Sequence, residues 1–206
     1  MRTTADRTPS ERGRRRLRPS LHWVAATVLA LTLAGCSGDD EGSGGAERAP
    51  AGASDTAVRT NTGLGVVRGP LAKAKAEDVR TEVTAVVERW SERAYGGDYP
   101  REDFDAAFEE FTAQAGALAR KQAGIMSNAR LGADLEGVEL VQRVVRVDVV
   151  GPRGKPAGAT ARFRLRFTTS GGEERTHLVA GRLLLTPTKD GWRVFGFDVR
   201  REEGAK

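Results

Sequence analysis

Three residue types in this 206-residue chain have the chemistry to act on something else, and their positions narrow what each can do. Cys36 is the single thiol, and His22 and His177 are the two imidazoles. Arginine is abundant, and Arg162, Arg164 and Arg166 alternate with Phe163, Leu165 and Phe167. One cysteine makes no disulfide within the chain and no thiolate cage for a metal. His177 has no serine or carboxylate placed to complete a catalytic triad with it. Guanidinium groups on alternate residues of a strand stand on one face about 7 Å apart, an arrangement suited to holding anions.

The place of Cys36 explains why the chain keeps it. Arg12, Arg14, Arg15, Arg16 and Arg18 form a positive stretch, and residues 21–35, "LHWVAATVLALTLAG", are apolar without a charged side chain. Such a run is short for a spanning helix, which needs roughly 20 residues, and fits the apolar core of an export signal. Leu33, Ala34 and Gly35 followed by Cys36 resemble the bacterial lipobox. The resemblance implies cleavage before Cys36 and attachment of a diacylglycerol to its sulfur. Arg14-Arg15-Arg16-Leu17 is loosely similar to a twin-arginine signal, so either export route is open.

Removal of the signal changes the charge class. The whole chain carries 33 basic and 28 acidic side chains, a formal charge of +5. Seven of the basic and two of the acidic groups lie in residues 1–35, so the remainder is formally neutral. No global positive field is left to attract nucleic acid, and only a local patch can bind an anion. His22 leaves with the signal. No cofactor or metal site is expected.

Three segments follow: a lipoprotein signal peptide at 1–35, a flexible tether at 36–69 and one domain at 70–206. The tether is rich in Gly, Ala, Ser and Asp and is too poor in large apolar residues to offset its ordering entropy. The domain opens with helical periodicity. Val79, Val83, Val86, Trp90 and Ala94 form one stripe. Phe104, Phe108 and Phe111 share the face of a second helix beginning near Pro100, and Leu118, Ile125 and Met126 mark a third. Beyond Gly137 the period becomes two, over residues 138–150, 158–169, 174–186 and 192–201, with turn signals between. The expected fold class is α+β, with N-terminal helices packed on a curled four-stranded antiparallel meander.

A two-residue turn at Gly171-Gly172 and a turn at Asp190-Gly191 would set the register. Phe163, Leu165, Phe167, Leu178, Ala180, Leu184, Phe195, Phe197 and Val199 then face the helices. His177, Val179, Leu183, Leu185, Trp192 and Val194 face outward, as do Arg146, Arg162, Arg164, Arg166 and Arg200. Val145, Val147 and Val149 point in, and Asp148 and Asp198 point out as partners for the arginines.

Helices followed by such a meander resemble the NTF2-like (cystatin-like roll) superfamily, and the closing "DGWRVFGFDV" is the most family-like stretch. Many actinobacterial envelope proteins have a similar plan of anchor, linker and one such domain. The resemblance implies a cone between sheet and helices. It also implies a choice among a non-catalytic binding or assembly module, a carrier of a lipid or isoprenoid in the cone, and an isomerase or dehydratase. Catalysis in the cone needs a buried acid or base. The expected inner face offers only Arg182 and Arg201 at its periphery, so the chain reads as a non-enzyme. Val179, Leu183, Leu185, Trp192 and Val194 make a candidate interface for a homodimer or an envelope protein. Arg146, Arg162, Arg164, Arg166 and Arg200 make a candidate anion patch. The expected location is the extracytoplasmic face of the cell membrane, with the membrane itself a partner through the lipid on Cys36.

Overall fold

The computed structural model describes residues 58–171 and 174–204. Leu33, Ala34, Gly35 and Cys36, with the rest of the signal, lie outside the described residues. The fold departs from the expected four-stranded antiparallel meander. It is a five-stranded mixed sheet in the order β1-β2-β3-β4-β5, with β1 parallel to β2 and every other neighbour antiparallel.

The extra strand, β1 (Thr60–Arg68), comes from residues expected in the tether. Gly63 and Gly65 made the segment look unstructured, yet each neighbouring residue has a use. Leu64 packs against the core. The Thr62 and Thr84 hydroxyls share a hydrogen bond of 2.8 Å, and the Arg143 guanidinium donates to the Thr60 hydroxyl at 3.2 Å. The pairing shifts between Leu64 and Val67, and the Val66 amide freed there donates to Asp148 Oδ1 at 2.8 Å. A β-carbon on Gly65 would lie 2.0 Å from that same oxygen, so a side chain there would displace the Asp148 carboxylate.

Helix α1 (Lys73–Tyr95) follows, and its expected stripe of Val79, Val83, Val86, Trp90 and Ala94 is buried. Gly96 ends the helix, its amide bonded to the Glu92 carbonyl. The second expected helix is only a short 3-10 turn, Asp105–Phe108. Phe104, Phe108 and Phe111 are buried all the same, so the aromatic spacing reported the core correctly but not the helix. Helices α2 (Ala113–Lys121) and α3 (Ala123–Met126) replace the third. Met126 is buried there, while Leu118 and Ile125 are exposed. The Thr112 hydroxyl caps α2 by accepting from the Ala115 amide.

The remaining strands are β2 (Gly137–Val150), β3 (Gly158–Ser170), β4 (Arg175–Thr188) and β5 (Gly191–Glu203). Val145, Val147 and Val149 point inward as expected. The β3–β4 register does not follow the two-residue turn. Phe163 opposes Gly181, Leu165 opposes Val179 and Phe167 opposes His177, one residue away from the expected pairing. A slip of one exchanges every side chain of β4 between faces. The apolar pattern of β4 runs in both phases, and Arg182 separates them. The expected phase buries Arg182, an expensive placement for a charge. The observed phase turns it outward to Asp198.

On β5 the pairing shifts once, between Leu184 and Leu185, leaving Phe195 between Val194 and Gly196. Trp192 and Val194 therefore face the helices, with Phe197 and Val199 partly buried beyond the bulge. Phe195, expected inside, is 53 % exposed. Trp90 of α1 sits at the centre of the core, edge-on to Phe163 at 5.1 Å, Tyr95 at 5.7 Å and Phe111 at 6.4 Å.

Candidate functional site

The face of the sheet turned away from the helices is built from the alternate residues of β2, β3, β4 and β5. Its rows follow from the register. Arg146, Arg162, Arg182 and Asp198 lie side by side across four strands. Val144, Arg164, Ala180 and Arg200 form the next row, and Gln142, Arg166, Leu178 and Glu202 the one after. All five arginines of the expected patch, Arg146, Arg162, Arg164, Arg166 and Arg200, are exposed on this one face.

Arg182 is the member that the sequence reading placed inside. Its signal was available, since an arginine alternating with Ala180 and Leu184 on a strand has to escape burial or find a buried partner. With Arg182 outward, the first row sets three guanidinium-bearing residues next to one another, and like charges directly opposite are destabilising. Three carboxylates reduce that repulsion. Asp148 pairs with Arg162 at 2.8 Å, Asp198 with Arg182 at 3.2 Å, and Glu202 with Arg200 at 2.9 Å. Arg146, Arg164 and Arg166 have no carboxylate within ion-pair distance among the described residues. The face therefore carries six arginines, three of them paired with an acid, and one further acid, Glu139, at its end. Its exposed pairs contribute little to stability, about 0–1 kcal/mol each, so their forks stay available to a ligand.

The candidate apolar interface does not exist as a surface. Val179, Leu183, Leu185 and Val194 are 0 % exposed and Trp192 is 6 % exposed. All five belong to the core that packs on α1. Trp192 also donates its indole N–H to Glu82 Oε2 at 2.8 Å. That bond lines a cleft of about 690 Å³ between α1, Glu109 and Glu110, and the β4–β5 turn. Glu110 is buried there and grips Arg89 at 2.7 and 2.9 Å, which raises the Arg89 guanidinium above its ordinary pKa.

The same slip brings His177 inside, 1 % exposed, where the sequence reading had it in solvent. Its ring stacks on Phe167 at 5.0 Å, and its Nδ1 lies 3.3 Å from Arg201. Arg201 reaches on to the Ser127 carbonyl at 3.3 Å and over the Phe167 ring. Tyr95, Tyr99 and Asn128 complete a polar group at this end of the core. Asn128 Nδ2 donates to the Tyr95 carbonyl and to the Tyr99 hydroxyl, and the Tyr95 hydroxyl donates to the Ile125 carbonyl. Burial pushes both phenols above their ordinary pKa, Tyr95 furthest. The inner face thus holds titratable groups after all. Tyr95 and Asn128 have no accessible surface, and a side chain with none adjoins neither solvent nor a void wide enough for water. These groups order one another, with Tyr95 and Asn128 enclosed and Tyr99 and Arg201 partly exposed at the rim.

Among the described residues no group of His, Cys, Asp and Glu is arranged to hold a metal ion. No helix among them is long and apolar enough to cross a membrane. No family model, no curated protein and no solved structure matches the chain.

Proposed function

We propose that the protein is a lipoprotein anchored through Cys36 on the extracytoplasmic face of the cell membrane, and that its domain is a non-catalytic binding module. The module works through the arginine face and engages anionic matter of the cell envelope. The observation that carries this reading is the row Arg146, Arg162, Arg182, a costly alignment of like charges kept on one face although residues 36–206 are formally neutral. The two acyl chains of a diacylglycerol on Cys36 would hold the protein at the membrane, which leaves the arginine face free to engage a second anionic partner near it. Each basic residue close to an anionic surface adds roughly 1 kcal/mol.

Two other readings have less support. A carrier needs an empty interior, whereas Trp90, Leu165, Phe167 and Leu183 have no accessible surface. An enzyme needs its titratable groups within reach of a substrate, and Tyr95 and His177 of the inner face are buried. The test uses residues 37–206, which lack the lipid but contain every described residue. At low salt they should sediment with vesicles rich in phosphatidylglycerol, or with isolated envelope material, and not with neutral vesicles. Binding to none of the anionic preparations would leave the face as solvated charge and overturn the proposal.

A further inference from the structure

The arginine face is not uniform, and its one recess has a chemistry of its own. Ala180 stands between Arg164 on β3 and Arg200 on β5 in the same row. Arg162 and Arg182 stand together in the adjoining row. A methyl group among four long side chains leaves a notch of about 380 Å³, lined by those four arginines, Asp198, Phe163, Ala180 and Gly181. Gly181 keeps β4 close to β5 at this point: a β-carbon there would lie 2.1 Å from the Asp198 carbonyl oxygen. The four long side chains therefore stand around Ala180 on three neighbouring strands.

We infer that this notch is a binding site for one phosphate group of a linear phosphodiester polymer, an inference that rests on the proposed function of the arginine face. Four lines of chemistry point there. The groups are all guanidinium, whose planar forks match phosphate oxygens two at a time, where lysine would supply point charges. Two arginines come from each of two rows, so donors approach an anion from several sides. Several such donors can reach both non-bridging oxygens of a phosphodiester and the next group of the same chain. Asp148, Asp198 and Glu202 engage Arg162, Arg182 and Arg200, the last two at exposed positions, and Arg164 has no carboxylate partner among the described residues. Finally, Arg166 stands about 7 Å beyond Arg164 along β3, past the notch. A chain with regularly spaced phosphates can place one phosphate in the notch and the next at Arg166. A bilayer surface meets the tips of the arginines and has no need of a recess between them.

The solvent-exposed forks make each contact weak, so a single phosphate should bind poorly and a polymer well through linked contacts. The experiment compares residues 37–206 with the variant Ala180→Leu, which fills the notch and removes no charge. Ala180 points away from the core, so the substitution leaves the packing against α1 intact. The probes are a synthetic glycerol-phosphate oligomer and vesicles containing phosphatidylglycerol. Loss of a charged hydrogen-bonding site should lower oligomer affinity about tenfold or more in Ala180→Leu, while vesicle binding stays at the parent level. A second variant, Arg164→Gln, should weaken both. If Ala180→Leu binds the oligomer as the parent does, the notch is not the site. If the parent binds vesicles and not the oligomer, the inference falls while the anion-binding face stands. If it binds neither, both fall.

Discussion

Arg162 and Arg182 stand directly opposite each other on β3 and β4, and each turns to a different carboxylate, Asp148 at 2.8 Å and Asp198 at 3.2 Å. Arg146 continues the row on β2. The two acids hold the forks apart without cancelling the face, because Arg146, Arg164 and Arg166 add charge that no described carboxylate balances. Asp148 has a further task, since it also accepts the Val66 amide of the bulge in β1. The strand that ties residues 60–68 to the domain and the binding face thus share one carboxylate.

That sharing makes Gly65 a sensitive position. Gly65→Val places a β-carbon against Asp148 Oδ1 and displaces the carboxylate from both the Val66 amide and Arg162. Loss of two hydrogen bonds, one to a charged group, should cost about 1–3 kcal/mol in urea unfolding. An unchanged midpoint would mean that Asp148 is not held where the bulge places it.

Residues 60–68 belong to the fold. A protein beginning at Leu71 lacks β1, leaves the edge of β2 bare and loses the Thr62–Thr84 and Arg143–Thr60 bonds. It should melt about 5–15 °C below one beginning at Ser37, for a loss of a few kcal/mol in a domain of this size. Equal melting temperatures would return β1 to the tether.

The two tyrosines of the chain, Tyr95 and Tyr99, sit in one cluster, so their titration can be read without interference. Burial raises both pKa values in the folded state. Unfolded phenols ionise near the usual value of about 10, so above that pH the unfolded state binds fewer protons than the folded one. Stability contributed by the neutral Tyr95 phenol is complete below pH ~10 and falls above it, by up to about 1.4 kcal/mol per pH unit. One phenolate signal, that of Tyr95, should therefore appear late and together with unfolding, after the partly exposed Tyr99. Both phenols titrating near pH 10 in the folded protein would contradict the burial of Tyr95.

How much of this was legible in the sequence depends on how many phases a segment allowed. The stripe of α1 and the alternation of Val145, Val147 and Val149 each have one phase, and both reappear in the structure. On β4, Leu178, Ala180 and Leu184 compete with Val179, Leu183 and Leu185 for the same face, and a turn assumed from two glycines chose the wrong set. That one choice misplaced His177, Arg182 and the β4 part of the candidate interface, Val179, Leu183 and Leu185. On β5 a bulge at Phe195 preserved Phe197 and Val199 on the inside while exposing Phe195, which no strict alternation can foresee. β1 was missed because parallel pairing to β2 depends on partners some 80 residues away, which local composition does not report. The arginine ladder survived every slip, since β3 alternates in one phase only.

The anchor is a separate matter from the domain. Cys36→Ala should release the protein from membranes or leave the uncleaved precursor, as seen by fractionation and intact mass. Normal processing with membrane retention would contradict attachment through Cys36.

The central claim is that the arginine face binds anions, and charge reversal on that face tests it most directly. Residues 37–206 and the variant Arg162→Glu, Arg164→Glu, Arg166→Glu are passed at low salt over immobilised envelope material, after circular dichroism has shown both to be folded. The parent should be retained and then released as salt rises, because screening shortens the reach of surface charges, and the variant should flow through. Retention of the variant at the level of the parent, or no retention of the parent, would contradict the account.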